Sequence, residues 1–270
     1  MSHPTQEPVL MLKQPIDLTL ESYAPKAKTD LDERELRIQL AAAYRLLDKF
    51  KMTDLISTHL SVRLPGSEHH FLINPFGMMF NEVTASSLVK IDLEGNIVGE
   101  SEWPVNPAGF VIHSAIHAAR EDLNCVFHTH TRYGIAVSTL ECGLLPISQF
   151  AMMFYNQVTY HDYEGVALDL DERERLVNDL GDKKVMILRN HGLLTAGKTI
   201  PEAFFLMYYL DRACEVQITA QSAGTKLVIP SESVCDRAAQ QQDINSENLG
   251  ELTWSALMRM LDRQDPSYRN

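Results

Sequence analysis

Apolar residues recur every three or four positions through Leu36, Leu40, Tyr44, Leu47 and Phe50, the period of an amphipathic helix. Asp30 and Glu33 stand ahead of them at capping-box spacing, which predicts the helix start. LSVRLPG and FLINPFG then read as strands stopped by turns containing Pro and Gly. VKIDLEGNIVGE reads as a hairpin, with Val89 and Ile91 before Glu94-Gly95-Asn96 and Ile97 and Val98 after it. A helix over roughly 108–120 precedes an apolar strand that ends in FHTH. A further helix is expected from Asp169, with Glu172 three residues on and Gly181 past its end. KVMILRNHGLLTAG predicts two strands broken at Asn190-His191-Gly192, and Thr199, Pro201 and Glu202 open a long apolar helix through about Gln221.

The flanks differ from this middle. Residues 1–28 carry four prolines without a period and read as an irregular arm. Residues 222–270 are looser, with one amphipathic patch around Leu252–Leu261. Short strands mixed with helices, without a βαβ rhythm, predict a mixed sheet covered by helices. The expected division is an arm over 1–29, a main domain over 30–222 and an extension over 223–270.

Composition narrows the partners. The 270 residues are 45% apolar and 22% charged, with a formal net charge of −12. Such an acidic chain is a poor match for nucleic acid, whose phosphates call for Lys and Arg, and it offers no polybasic membrane anchor. The opening MSHPTQEPVLMLKQP lacks the pattern of a signal peptide, and no apolar run is long enough to span a bilayer. Cys125, Cys142, Cys214 and Cys235 are widely spaced with no CxxC pair, the pattern of reduced thiols in a cytoplasmic protein.

The candidate chemistry lies in histidines. In a strand, residues i and i+2 share a face, so His128 and His130 project side by side. His191, between Asn190 and Gly192, could join them if the two strands are neighbours. Three neutral imidazoles with an open position suit zinc and also other first-row metals such as iron. Two solvent-facing histidines at a strand end would fit the HxH spacing equally well.

FHTHT at 127–131, RNHG at 189–192, THLSVR at 58–63 and AGFVIHSAIHAAR resemble the class II aldolase and adducin family, over residues 30 to 222. The resemblance implies a three-layer α/β/α fold around a mixed, mostly antiparallel sheet. It implies a divalent metal, Zn2+ before Fe2+ or Mn2+, held by His128, His130 and His191. It also implies a homotetramer with sites between subunits, acting on a small hydroxy-carbonyl compound by carbon–carbon cleavage or a related step. The family's glutamate acid/base corresponds to Gly109, and two phosphate-binding serines correspond to Pro107 and Ala108. His59 replaces the asparagine of a substrate-binding loop, while Gly77 matches a glycine of the phosphate pocket. A glycine cannot move a proton, so a substitute is needed. Asp162, Tyr163 and Glu164, in HDYEG, are the candidates, against the plainer reading of a solvated loop.

NPAGF, CGLLPISQ and LRNHG resemble the adducin-like branch, whose head domain has this fold. A non-catalytic assembly module with a structural metal is therefore the alternative, and a three-histidine iron oxygenase is a second. Adducin's lysine-rich tail has no counterpart in a chain ending LDRQDPSYRN, which argues against a cytoskeletal role. His59 either recognises an anionic substrate or caps its turn. Arg63 either pairs with a carboxylate or binds a substrate anion. His113 and His117, four apart on a helix, suit helix-to-sheet packing better than ligation. Met152 to Tyr155 form an apolar patch suited to the core or a subunit contact.

Overall fold

A computed structural model of the chain describes residues 31–66, 68–166, 170–246 and 248–270. The expected N-terminal arm, Asp30 and Asp169 lie outside the described residues. In chain order, α1 (Glu33–Lys49) is followed by β1 (His59–Arg63), β2 (Phe71–Ile73), β3 (Val89–Ile91), α2 (Pro107–Ala119) and β4 (Cys125–Thr129). Next come α3 (Arg132–Ser138), α4 (Gln149–Met152), β5 (Val158–His161), α5 (Glu172–Leu180), β6 (Val185–Leu188) and β7 (Gly192–Gly197). The chain closes with α6 (Ile200–Ser222), α7 (Glu232–Gln242), α8 (Glu251–Gln264) and a 3-10 turn at Pro266–Arg269.

The strands form a seven-stranded sheet in the order β3-β2-β1-β4-β7-β6-β5. Neighbours are antiparallel except β5 and β6, which run parallel. Strand alternation sorts the side chains into two layers. Leu60, Val62, Cys125, Phe127, Ile187 and Leu193 face one core with residues of α1, α6 and α8. Val126, Met186, Leu188, Leu194 and Ala196 face the other, with Ile112 and Ile116 of α2 and Leu176 and Leu180 of α5. This is the expected three-layer fold. Among the described residues the four cysteines are unpaired, with Cys142 alone exposed. No described helix is long and apolar enough to cross a membrane.

Helix boundaries follow local chemistry. The cap of α1 is Asp32, whose Oδ1 accepts from the Glu35 N–H at 2.8 Å, rather than the expected Asp30. TDLDERE contains the same spacing twice, and Glu33 is engaged elsewhere, with Arg37 and with Lys90. Thr199 caps α6 as the sequence predicts, accepting from the Glu202 N–H. The expected hairpin after Val89 is reduced to one bridge, Ile91 to Ile97. There Asp92 Oδ1 accepts from the Glu94 and Asn96 N–H groups and tightens the turn.

The C-terminal residues are built into the core. Trp254 packs edge-on against Phe204 at 5.6 Å, and Tyr268 is fully buried. The Ala85 and Ser86 N–H groups donate to the carbonyls of Tyr268 and Asn270. Helix α7 was not expected from the sequence, because ESVCDRAAQQQ buries only Cys235 and shows no apolar period.

Candidate metal centre

His128 lies near the end of β4, in register with His59 on β1 and Leu194 on β7. It projects on the α2 side of the sheet, opposite to Phe127. His130 follows just past the strand, and its Nε2 lies 2.9 Å from that of His128. His191 sits in the turn before β7, after Asn190 in the left-handed region at φ 55. Gly192 is required by close approach: a Cβ there would lie 2.4 Å from the Thr129 carbonyl oxygen. The ring centroids of His128, His130 and His191 are 4.7 to 4.8 Å apart, and one ligand atom from each lies within 4.8 Å of the others.

Hydrogen bonds on the outer ring nitrogens fix the tautomers. His128 Nδ1 donates to the Leu193 carbonyl at 3.0 Å, and His130 Nδ1 donates to Asp54 Oδ2 at 3.0 Å. A carbonyl and a carboxylate can only accept, so each ring leaves its Nε2 lone pair for the centre. Two lone pairs then meet at 2.9 Å, which is repulsive unless a proton or a cation lies between them. Burial holds His128 well below the ordinary imidazole range, and the neighbouring rings lower it further. His191 is pushed down to about 4, first by burial and then by His130 and His161. Neutral imidazoles whose second nitrogen donates to a carbonyl or carboxylate are the donor set a divalent metal requires.

A cavity of about 380 Å³ opens over this cluster, lined by Asn106, Ala108, Ile112 and Tyr163 among others. His59 also lines it, although only 2% exposed. Its neighbour is Gly109, in the first turn of α2, where a Cβ would come 2.7 Å from His59 Cδ2. The imidazole therefore fills the volume a side chain at 109 would need. Behind it, His59 Nδ1 lies 2.8 Å from His113 Nε2, His113 Nδ1 2.5 Å from Ser61 Oγ, and Ser61 Oγ 2.7 Å from His117 Nε2.

The other candidates are not all brought together. Tyr163 lines the cavity, with its ring 6.2 Å from that of His191. Asp162 lines a small adjoining cavity shared with His161 and His191. Glu164 is held by Arg175 in a two-pronged ion pair, 2.5 Å at its shortest. Arg63 lies at the opposite end of β1 from His59, donates to the His117 carbonyl, and lines a separate cavity of about 540 Å³. Gly77, at φ +118, lies against the Trp103 ring and does not line the histidine cavity. Met153 and Phe154 are core residues. Two groups were missed. Asp54 had no periodic or motif signal, and only the rule that ligand histidines take carboxylate partners could have suggested it. His161, whose Nδ1 lies 2.6 Å from Asp179 Oδ2, ends β5, and HDYEG carries no strand signal that would set it apart from a loop.

Fold and centre together define a class of protein, and comparison with known proteins agrees. Residues 38–218 match the family described as Class II Aldolase and Adducin N-terminal domain, and the chain belongs to that family. A crystal structure of an aldolase II superfamily protein from Pseudomonas syringae is 53% identical, covers 88% of this chain and 96% of its own, and superposes with a TM-score of 0.85. L-fuculose 1-phosphate aldolase from Glaciozyma antarctica is 31% identical over 91% of this chain and 96% of its own, with a TM-score of 0.80. Alpha-adducin of Rattus norvegicus is 45% identical over 248 residues, which are 86% of this chain and 34% of adducin.

Proposed function

We propose that the protein is a metal-dependent lyase of the class II aldolase type, acting on a small hydroxy-carbonyl compound. The observation that carries this reading is the convergence of His128, His130 and His191, with the outer nitrogens of His128 and His130 tied to Leu193 and Asp54. These three residues would hold the metal, Zn2+ before Fe2+ or Mn2+. Such an ion, when bound, polarises a carbonyl oxygen and stabilises negative charge developing on it.

The remaining residues have separable tasks. Asp54 orients His130 and keeps its Nδ1 protonated. Ile112, Ile135 and Val166 narrow the cavity and limit water. Of the three HDYEG candidates, Tyr163 is the one lining the histidine cavity, and we assign it the proton transfer that Gly109 cannot perform. Asp162 is next in reach, while the Arg175 pair occupies Glu164. A homotetramer and a cytoplasmic setting complete the proposal.

A second reading has its own support. The glycine in place of the family's glutamate, together with 45% identity to alpha-adducin, fits an assembly module whose metal is structural. Elemental analysis of the untagged protein decides between them, beside His128→Ala, His191→Ala and Asp54→Ala variants. The expected result is near-stoichiometric zinc, lost in both histidine variants and bound about 10- to 100-fold more weakly without Asp54. Cleavage of hydroxy-carbonyl compounds by the loaded protein then supports the lyase. Iron at the same level redirects the screen to oxygen-dependent reactions. A protein that binds no metal overturns the catalytic reading.

A further inference from the structure

We propose that His59 is a substrate-binding residue: its Nε2–H is a fixed hydrogen-bond donor to an oxyanion of the bound ligand, and His113, Ser61 and His117 set its direction from behind. The inference deepens the lyase reading and rests on it for the ligand, an enediolate or carboxylate oxygen.

The argument is one of proton counting along a buried chain. A neutral imidazole has one N–H and one lone pair, and a hydroxyl has one proton to give. Each contact in the series His59, His113, Ser61 and His117 therefore carries one proton, and fixing one end fixes all of them. All three rings are buried and none has a carboxylate hydrogen-bond partner among the described residues, which favours the neutral form; burial holds His113 well below the ordinary range and His117 at about 3.

The back end is decided by Arg63. His117 Nδ1 is buried with no hydrogen-bond partner, and so is Arg63 Nε. The Arg63 guanidinium donates to the His117 carbonyl, and its charge opposes further positive character on that ring. An N–H stranded at His117 Nδ1 would add a second buried donor without an acceptor, the rarer kind of orphan. A lone pair there, next to a cation, is the favourable choice. His117 Nε2–H then donates to Ser61 Oγ, the Ser61 hydroxyl to His113 Nδ1, and His113 Nε2–H to His59 Nδ1. The remaining proton of His59 must sit on Nε2.

That nitrogen has no hydrogen-bond partner among the described residues, and His59 lines the histidine cavity. Cδ2 is the ring atom nearest Gly109, where a Cβ would lie 2.7 Å from it, 2.9 Å from Cγ and 3.1 Å from Nε2. The missing side chain at 109 is what admits the ring to this wall, in register beside His128. A donor of fixed polarity there is placed to stabilise an oxyanion without moving.

The test uses two readouts. Long-range proton–nitrogen correlation spectra of histidine-labelled, zinc-loaded protein report the tautomer directly; the expected form of His59 is Nε2–H, becoming mixed in Ser61→Ala. Calorimetric titration with oxalate, a planar dianion resembling an enediolate, is compared between wild type, His59→Leu and His59→Gln, with zinc content measured in each. Loss of a hydrogen bond to a charged oxygen predicts roughly ten- to hundredfold weaker oxalate binding in His59→Leu, partly restored in His59→Gln, at unchanged zinc. An Nδ1–H tautomer overturns the inference, as does unchanged oxalate affinity. Zinc lost from His59→Leu would make His59 a metal ligand and overturn it too. If wild type takes up no zinc, the lyase reading fails separately, and the tautomer of the metal-free protein still decides whether the donor exists.

Discussion

Gly109 and His59 occupy one volume between them, and that exchange governs the wall of the cavity. A methyl group at 109 would fall 2.7 Å from His59 Cδ2, inside any tolerable contact, so the ring or the first turn of α2 must shift. Gly109→Ala is expected to destabilise the protein by about 1–3 kcal/mol, the usual cost of overpacking. Urea unfolding measures it, and a loss below about 0.5 kcal/mol would mean that His59 has another place to go. Neither residue announces this in the sequence. The glycine is visible as a departure from the family pattern, but its partner lies fifty residues away and is found only in three dimensions. Gly192 is the opposite case, because a glycine directly after His191, in the break between two strands, already points to close approach.

At the scale of elements, α2 lays its polar stripe on the polar face of β1. His113 and His117 meet His59 and Ser61, and the His117 carbonyl accepts from Arg63, so the packing alternative holds for the two helix histidines. Their burial has a pH consequence. Folded values depressed below 6.5 mean that the unfolded chain binds more protons than the folded one in mild acid. Their contribution is complete above about pH 6.5 and is lost as pH falls below it, by about 1.4 kcal/mol per pH unit for each histidine. For His117 the loss continues toward its folded value of about 3. Urea midpoints at about pH 7 and about pH 5.5 should therefore differ, and His117→Gln should reduce the difference. An equal difference in the variant would place the titration elsewhere.

At the scale of the whole molecule, the residues after α6 close one layer of the fold. Tyr268 is fully buried and its hydroxyl donates to Asp262 at 2.6 Å, while the last backbone groups are tied to the turn at Ala85 and Ser86. Tyr268→Ala is expected to cost about 3–5 kcal/mol, as for other large aromatic truncations. A lowered urea midpoint with an unchanged slope checks it. A cost under about 1 kcal/mol would show that the tail is a loosely attached appendage.

The sequence by itself determined the elements that short-range physics controls. Apolar period, capping residues and the punctuation by Gly and Pro located α1, α6 and every strand but β5, because each depends on neighbours within one turn or one pleat. The HxH pair was legible for the same reason, although His130 stands one residue past the end of β4. The tertiary structure decided which distant segments complete the site. Strand order brings β7 beside β4 and so sets His191 against the pair, a turn after α1 supplies Asp54, and β1 brings His59 to the space left at Gly109. It also separated Arg63 from His59 by placing them at opposite ends of one strand, although they are four residues apart. Hydrogen bonds and excluded volume between remote residues select these partners, and no local pattern in the chain encodes them.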